Sequence, residues 1–457
     1  MNNCHSIINS MNIRFNIFKT VVIIAITTLA LFTSCSEDAS LCSEAEVTNF
    51  KLNLGNGNYK VGTIEDGNII KFKVTPDFDI TKLNGATSEF FISSYATVTP
   101  YPSEPQDFSK DVVYTVKAQD GTTSTWTVKW GYGDKLPDGE GFGYSLKKWE
   151  KSWTDLGFTA DVENSLAVCG DYLVASRSCI CLDKLTGENS GKKLNTTGIP
   201  SADGSSAKAV PFFLTNDSKG NLIGFTLPGW AGVFNIYKWS SIDSAPVLLY
   251  STTSVGVSRK VNVVGDINGD AYIYDMRQGS VTGEHNRWKV TNGKVEAPEI
   301  FETSVPTNDG NWTQCMAALD ASASPAFYLA DPIAGGSNVW YFENGVNEQI
   351  QGPGTEGDKG PKGWGNFTQA SCNTFKFNGK TYGAFLTSSW GKSFFTILST
   401  NEAQEVVLNE IISPVQYNGN ATGSICTSLS QDGESIYVYE LLTSTGVRCY
   451  ELTKYEK

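Results

Sequence analysis

A repeat of about 50 residues is the feature that most constrains this sequence. Between residues 160 and 455, an apolar strand, a tight turn and a second apolar strand recur, and a third strand follows. The turns centre near Gly170, Gly220, Gly269, Pro325, Gly379 and Gly433. Units of three or four short strands repeated six times predict a β-propeller, and the longer spacing after Gly269 leaves room for a seventh blade.

The two ends of the repeat region complement each other. The last repeat stops at its third strand, whereas residues 142–158 form an extra strand-like segment before the first full repeat. We expect this segment to supply the outer strand of the last blade, because such closure leaves no free sheet edge. The predicted linker and closing strand therefore span residues 134–158, and the propeller spans residues 159–457.

Residues 46–133 show a different pattern, in which apolar and polar residues alternate with a period of two. Two alternating stretches flank Asp120-Gly121, a pair typical of a hairpin turn. The sequence from Tyr114 to Trp130 resembles the end of small immunoglobulin-like domains of Bacteroidetes surface lipoproteins. The predicted fold class is therefore all-β, with a small immunoglobulin-like β-sandwich before the propeller. The resemblance implies a spacer or an adhesion module, and the residues do not separate these two roles.

The first 34 residues have the features of an export signal. Arg14 and Lys19 precede an apolar run, and small residues then lead to Cys35. This junction resembles a bacterial lipobox, which implies that Cys35 is lipidated. The acidic residues after Cys35 resemble the tag that directs Bacteroidetes lipoproteins to the cell surface, so residues 35–45 are read as an acidic tether. The resemblance implies a lipid anchor in the outer membrane.

Composition excludes several classes of function. The chain has 48 acidic and 35 basic residues and a net charge of −13, which argues against a nucleic-acid partner. Only two histidines are present, one of them in the signal, so chemistry that needs several histidines is excluded. No catalytic spacing is visible. We expect a binding protein without a cofactor, and a propeller glycoside hydrolase or lyase stays an alternative.

One acidic turn invites a calcium interpretation, because Asp266, Asn268 and Asp270 alternate as ligands in a calcium loop do. The turn at Asp217 occupies the same place one repeat earlier with different side chains. A turn that recurs in this way serves the hairpin, so we expect no metal site.

The cysteines show no CxxC pair, which argues against zinc. Cys315, Cys372 and Cys426 fall in first strands, where small apolar residues fit around the axis. Buried free thiols are the simpler interpretation, and the export signal also permits a disulfide.

Tryptophans in glycine-rich loops provide the candidate ligand surface. Loops after second strands and between repeats emerge on one face of a propeller, and four tryptophans fall in them: Trp230, Trp312, Trp364 and Trp390. An exposed indole ring stacks on the apolar face of a sugar. The alternative is that each ring folds back into a blade junction. Arg259 and His285 are further candidates for this face.

The combined pattern resembles accessory lipoproteins of Bacteroidetes nutrient-capture systems. The resemblance implies a surface lipoprotein whose head binds carbohydrate or glycoconjugate. A protein-binding or cell-adhesion module of the same architecture is the alternative, so the expected partner is a glycan or a surface protein.

Overall fold

The computed structural model describes two compact units, one ending at Gly133 and one from Asp134 to Glu456. The described residues are 41–75, 78–158, 163, 165–199, 211–226, 233–253, 260–277, 283–303, 314–331, 338–354, 363–364, 369–389, 392–401, 403–412, 423–443 and 445–456. Within these ranges, no helix has both the length and the apolar character needed to cross a membrane.

The described residues of the first unit form strands and one 3₁₀ turn, at Ile80–Leu83. Its strands are β1 (Val47–Asn53), β2 (Tyr59–Glu65), β3 (Ile69–Val74), β4 (Asn84–Ile92), β5 (Thr97–Thr99), β6 (Gln106–Asp107), β7 (Val112–Lys117) and β8 (Thr123–Tyr132). They follow one hydrogen-bonded path, in the order β5-β7-β8-β3-β2-β1-β4-β6. Strands β7 and β8 form the hairpin predicted at Asp120-Gly121. The predicted immunoglobulin-like sandwich is not specifically shown, because the strands of this unit follow one continuous hydrogen-bonded path.

This sheet folds back on itself around an apolar core. Phe90 of β4 and Tyr114 of β7 lie five steps apart along the path, yet their ring centroids are 4.5 Å apart. The Tyr114 hydroxyl also lies 3.1 Å from the Ser88 hydroxyl. Alternating burial along β7 and β8 directs Tyr114, Trp126 and Val128 into this core.

The second unit is a β-propeller of six sheets. Its strands are β9 (Tyr144–Ser152), β10 (Leu166–Cys169), β11 (Tyr172–Ala175), β12 (Ile180–Asp183), β13 (Asn189–Lys193), β14 (Phe213–Asn216), β15 (Leu222–Phe225), β16 (Phe234–Trp239), β17 (Val247–Thr252), β18 (Val261–Gly265), β19 (Ala271–Met276), β20 (Glu284–Thr291), β21 (Lys294–Val295), β22 (Glu299–Glu302), β23 (Cys315–Ala318), β24 (Phe327–Asp331), β25 (Asn338–Glu343), β26 (Val346–Gln349), β27 (Gln369–Phe377), β28 (Lys380–Ser389), β29 (Lys392–Ser399), β30 (Val406–Ile412), β31 (Ser424–Leu429), β32 (Ser435–Leu442) and β33 (Gly446–Thr453). Blades one to five begin at β10, β14, β18, β23 and β27 in turn.

The count of six blades is confirmed by the strand pairing. In blade three, β21 and β22 both pair with β20, so its outer strand is divided into two pieces. This division accounts for part of the longer spacing after Gly269. No seventh propeller sheet is present among the described residues.

The sixth blade combines both ends of the propeller sequence, in the order β31-β32-β33-β9. Strand β9 pairs antiparallel with β33 along their whole lengths, from Tyr144 opposite Thr453 to Ser152 opposite Gly446. The outer edge of this blade is therefore formed by the start of the unit.

Side chains satisfy the exposed backbone edges of the first strands, which surround the axis. At the junction of blades one and two, the Asn216 amide accepts from Val168 N and donates to Val168 O, both at 2.7 Å. Similar side-chain-to-backbone bonds connect Asn262 to Ala318, Asn373 to Ile425 and Ser424 to Leu166. Buried backbone groups require such partners, so polar side chains recur among the inner strands.

Candidate functional site

At one end of the ring, the first strands begin and the second strands end. Because first and second strands are antiparallel, the start of each first strand lies beside the end of its second strand, as Cys315 lies beside Ala330. We call this end the upper face. Trp230, Trp312, Trp390 and Arg259 lie outside the described residues.

Polar residues mark the start of the first strands on the upper face. They stand immediately before or at the start of apolar strands in four blades: Ser165, Lys260, Gln314 and Ser424. All four are buried. Buried polar groups therefore lie at this end of the ring, whereas the blade junctions are apolar.

Lys260 carries a positive charge close to the axis. Its side chain is only 3% exposed, and its ammonium group donates a hydrogen bond to the carbonyl of Gly423 in blade six. The same group lies 5.6 Å from the ring centroid of Phe213 in blade two. Blades three and six face each other in a six-blade ring, so Lys260 reaches across the axis.

Asp331 and Gln314 form a second polar element on this face. The Gln314 amide donates to one carboxylate oxygen of Asp331. Asp331 Oδ2 and Gln314 Oε1 are buried, and neither has a hydrogen-bond partner in the described part of the chain. Burial raises the pKa of Asp331 to about 6. These two oxygens are acceptors suited to O–H or N–H donors.

Glu163 fixes the backbone at the top of blade one. Its carboxylate accepts from Arg177 N at 2.9 Å and from Ser178 N at 2.8 Å. Burial nevertheless raises its pKa above the ordinary value. Both carboxylate oxygens are thus engaged by the chain itself, and Glu163 acts as a positioning residue.

Trp364 lies inside the junction of blades four and five. It is 0% exposed, its Nε1 donates to Ile350 O at 2.9 Å, and its ring is 5.4 Å from that of Phe385. Gly352 lies so close that a Cβ atom there would be 2.7 Å from Trp364 Cγ. The ring therefore offers no face to a ligand in this structure and fills the junction instead.

His285 is also enclosed, on the third strand of blade three. It is 0% exposed, and its Nδ1 lies 3.0 Å from Gly283 O. Burial lowers the pKa of His285 to about 4, so the ring is neutral at pH 7 and is not presented at the surface.

The acidic turn of blade three is held by hydrogen bonds. Asp266 Oδ1 accepts from Asn268 N at 2.9 Å, and Asp270 Oδ1 accepts from Asn292 N at 3.0 Å. Asn268 Oδ1 accepts from the Lys238 ammonium at 2.6 Å. Among the residues that the structure describes, no group of three or more His, Cys, Asp or Glu is placed to hold a metal.

The sequence interpretation did not identify Glu163, Gln314 or Asp331. A usable signal was present for Gln314, because a polar residue also stands directly before an apolar first strand at Ser165 and Lys260. The pairing of Gln314 with Asp331 across a hairpin was not visible without the strand register.

Two family models match the chain. One, described as "SGBP, N-terminal", matches residues 47–129, and SGBP denotes a surface glycan-binding protein. The other is described as "Domain of unknown function (DUF8500)" and matches residues 148–441. No curated protein matches the chain.

Two solved structures illustrate the similarity of each part. A Bacteroides fragilis protein, whose name calls it secreted, is 21% identical, covers 20% of this chain and 98% of its own, and has a TM-score of 0.16. A variant of the Aleuria aurantia lectin in complex with alpha-methyl-L-fucoside is 8% identical, covers 63% of this chain and 94% of its own, and has a TM-score of 0.37. Both TM-scores are low, and the propeller assignment rests on the strand pairing.

Proposed function

We propose a function for this chain from its architecture and its upper face. The chain belongs to the family described as a domain of unknown function (DUF8500), and that description names no activity. The chain is a surface lipoprotein whose propeller head binds a glycan or glycoconjugate. The observation that carries the proposal is the match of residues 47–129 to the N-terminal region of surface glycan-binding proteins. A propeller head after such a region supplies a rigid platform for a ligand site.

The same architecture supports a location at the cell surface. Cys35 carries the lipid, the acidic residues after it form a tether, and the first unit acts as an immunoglobulin-like spacer. The continuous sheet of this unit encloses its own apolar core, which supports a compact spacer. In this arrangement the chain is anchored in the outer membrane and contributes to nutrient capture outside the cell.

The ligand contacts are assigned to the upper face. Trp230, Trp312 and Trp390 provide stacking surfaces for sugar rings, and Arg259 binds hydroxyl or acidic groups. The buried oxygens of Gln314 and Asp331 support a polar centre on this face. Trp364 has a packing role instead, since its indole N–H and both ring faces are enclosed.

A glycan array probed with the full chain tests the proposal, followed by titration calorimetry on the best ligand. Stacking on an aromatic ring contributes about 0.5–1.5 kcal/mol beyond area burial, so each Trp→Ala change on this face weakens binding roughly two- to tenfold. Trp364→Phe is the matched control and leaves affinity unchanged. An array without binding, or a triple Trp230, Trp312 and Trp390 variant that binds normally, contradicts the proposal.

Adhesion to a protein is the second candidate, and one observation favours it. Tyr95 is 79% exposed at a positive φ of 63°, and Tyr101 nearby is 64% exposed. Exposed tyrosines are common at protein interfaces. In this case a purified surface protein is bound by the full chain, a Tyr95→Ser and Tyr101→Ser variant loses the binding, and the array is negative.

A further inference from the structure

Two cysteines meet where blades four and five join near the axis. Cys315 begins β23, the first strand of blade four, and Cys372 lies in β27, the first strand of blade five. Each is 6% exposed, and both are thiols in this structure. The rest of this junction is apolar and includes Trp364 and Phe385.

The contacts between the two residues are reciprocal and short. Cys372 N donates to Cys315 Sγ at 3.0 Å, and the Cys372 thiol donates to Cys315 O at 3.0 Å. The Cys315 thiol lies 3.3 Å from Cys372 O. Since a Cα atom is about 1.5 Å from its own nitrogen, the Cα of Cys372 is within about 4.5 Å of the Cys315 sulfur. Each sulfur thus lies against the backbone of the other cysteine, so the two side chains lie side by side, as a disulfide requires.

Other inner junctions use stronger hydrogen-bonding groups at comparable places. Asn216 bridges blades one and two with both its amide oxygen and its amide nitrogen, and Asn373 of blade five donates to Ile425 O of blade six at 3.2 Å. A thiol is a weak donor and a weak acceptor. Hydrogen bonding to the backbone is therefore a weak reason for two thiols at this place, whereas a covalent bond between them would join the first strands of two blades.

We propose that Cys315 and Cys372 form a disulfide in the mature chain, which links the first strands of blades four and five beside the axis. The inference rests on the export part of the proposed function, because disulfides persist in oxidising compartments. It is independent of glycan binding. The bond closes a long loop that contains the outer part of blade four, and closing such a loop constrains the unfolded chain.

The chemistry is a thiol–disulfide exchange with an external disulfide such as glutathione disulfide. The Cys315 thiolate attacks one sulfur of glutathione disulfide. A mixed disulfide between Cys315 and glutathione forms, and a glutathione thiolate is released. The Cys372 thiolate then attacks the Cys315 sulfur and releases the second glutathione. The protein pair loses two electrons, the glutathione disulfide gains them, and the two thiol protons end on two glutathione molecules.

The local charges indicate which sulfur reacts first. The hydrogen bond from Cys372 lowers the pKa of the Cys315 thiol, burial opposes this effect, and the positive charge of Lys260 adds to it. Burial raises the pKa of Cys372. The thiolate is the nucleophile, so Cys315 attacks first. Because both sulfurs are buried in the folded ring, glutathione disulfide reaches them before the ring has closed, when β23 and β27 are already in contact.

The full chain, unfolded and reduced, is refolded in a glutathione redox buffer, and free thiols are then counted by alkylation in denaturant. The expected result is two fewer thiols than in the reduced chain, with one non-reduced proteolytic peptide pair that joins Cys315 to Cys372. Reduction lowers the Tm of the oxidised chain by several degrees. Folded, reduced protein placed in the same buffer oxidises much more slowly than refolding protein.

Matched variants separate the bond from general effects of cysteine loss. Cys315→Ser and Cys372→Ser each abolish the linked peptide, and neither variant shows a Tm difference between oxidising and reducing buffers. Cys426→Ser is the control, since Cys426 is also buried in a first strand, and it keeps the linked peptide. A full complement of free thiols after refolding, or a linked peptide that contains another cysteine, overturns the proposal. An array without glycan binding leaves it unaffected.

Discussion

The closing strand of the ring is secured by an ion-pair group, and replacing Arg448 by Met tests how much that group contributes. Arg448 on β33 is 5% exposed and Glu440 on β32 is 0% exposed. The guanidinium donates to Glu440 Oε2 at 3.1 Å and lies 2.6 Å from Glu150 Oε1 on β9. One side chain thus joins three neighbouring strands, including the one supplied by the start of the unit.

The expected cost follows from the burial of Glu440. Removing one partner of a buried ion pair leaves the other charge without compensation and costs about 3–5 kcal/mol. Glu440 Oε1 already lacks a partner among the described residues. Arg277→Met is the matched control, because Arg277 forms a partly exposed pair with Glu284 at 3.2 Å. Exposed pairs contribute about 0–1 kcal/mol.

The pH dependence sharpens this prediction. Burial raises the pKa of Glu440 to about 7, above its ordinary value of 4.5. The folded chain therefore holds this proton through a window in which the unfolded chain has lost it, and the contribution of Glu440 to stability falls as pH rises from about 4.5 to 7. The cost of Arg448→Met is small at pH 5, where Glu440 is protonated, and large at pH 8.

Chemical denaturation of the full chain at both pH values measures these costs, with the propeller transition followed separately. Adding Glu440→Gln to Arg448→Met removes the stranded charge and recovers most of the stability lost at pH 8. The reasoning is refuted if Arg448→Met costs no more than Arg277→Met, if its cost is the same at pH 5 and pH 8, or if the double variant is no better than the single one.

Three further changes have defined outcomes. Gly187→Ala lowers the Tm of the propeller by several degrees, because a Cβ at Gly187 would lie 2.7 Å from the Trp149 ring. Gly170→Ala lowers the Tm less, because nothing lies within 4 Å of a Cβ at Gly170. Calorimetry compares the Tm values of the two variants. Burial lowers the pKa of His285 to about 4, so the stability of the wild-type chain falls as pH drops from 6.5 towards 4. His285→Gln loses most of this acid sensitivity when the Tm is measured across the same pH range. Cys35→Ala releases the chain from the membrane fraction into a soluble form, and protease treatment of intact cells removes the wild-type protein; full protection contradicts surface exposure.

The repeat pattern predicted short strands in six repeats and left a seventh blade open. The turn predicted near Gly170 joins β10 to β11, and the turn predicted near Gly220 joins β14 to β15. Such local patterns are readable because each blade repeats the same alternation of apolar strands and tight turns. The fold of the propeller therefore follows from information within each repeat.

The environment of single side chains was not readable in the same way. Glycines beside Trp364 suggested an open ring, but burial depends on Gly352 and on Phe385 in the next blade. The pairing of Gln314 with Asp331 depends on the register of a hairpin. Contacts between distant segments decide which loop residues face a ligand and which fill a junction, and a single sequence does not contain them explicitly.

Hydrogen–deuterium exchange of the full chain, with and without a glycan identified on the array, tests the central claim most directly. The account predicts slower exchange in the upper-face loops at 227–232, 304–313 and 390–391. It predicts unchanged exchange in the opposite turns at 217–221, 266–270 and 430–434 and in the first unit. Protection confined to those opposite turns or to residues 41–133, with none in the upper-face loops, would contradict a glycan site on the upper face of the propeller.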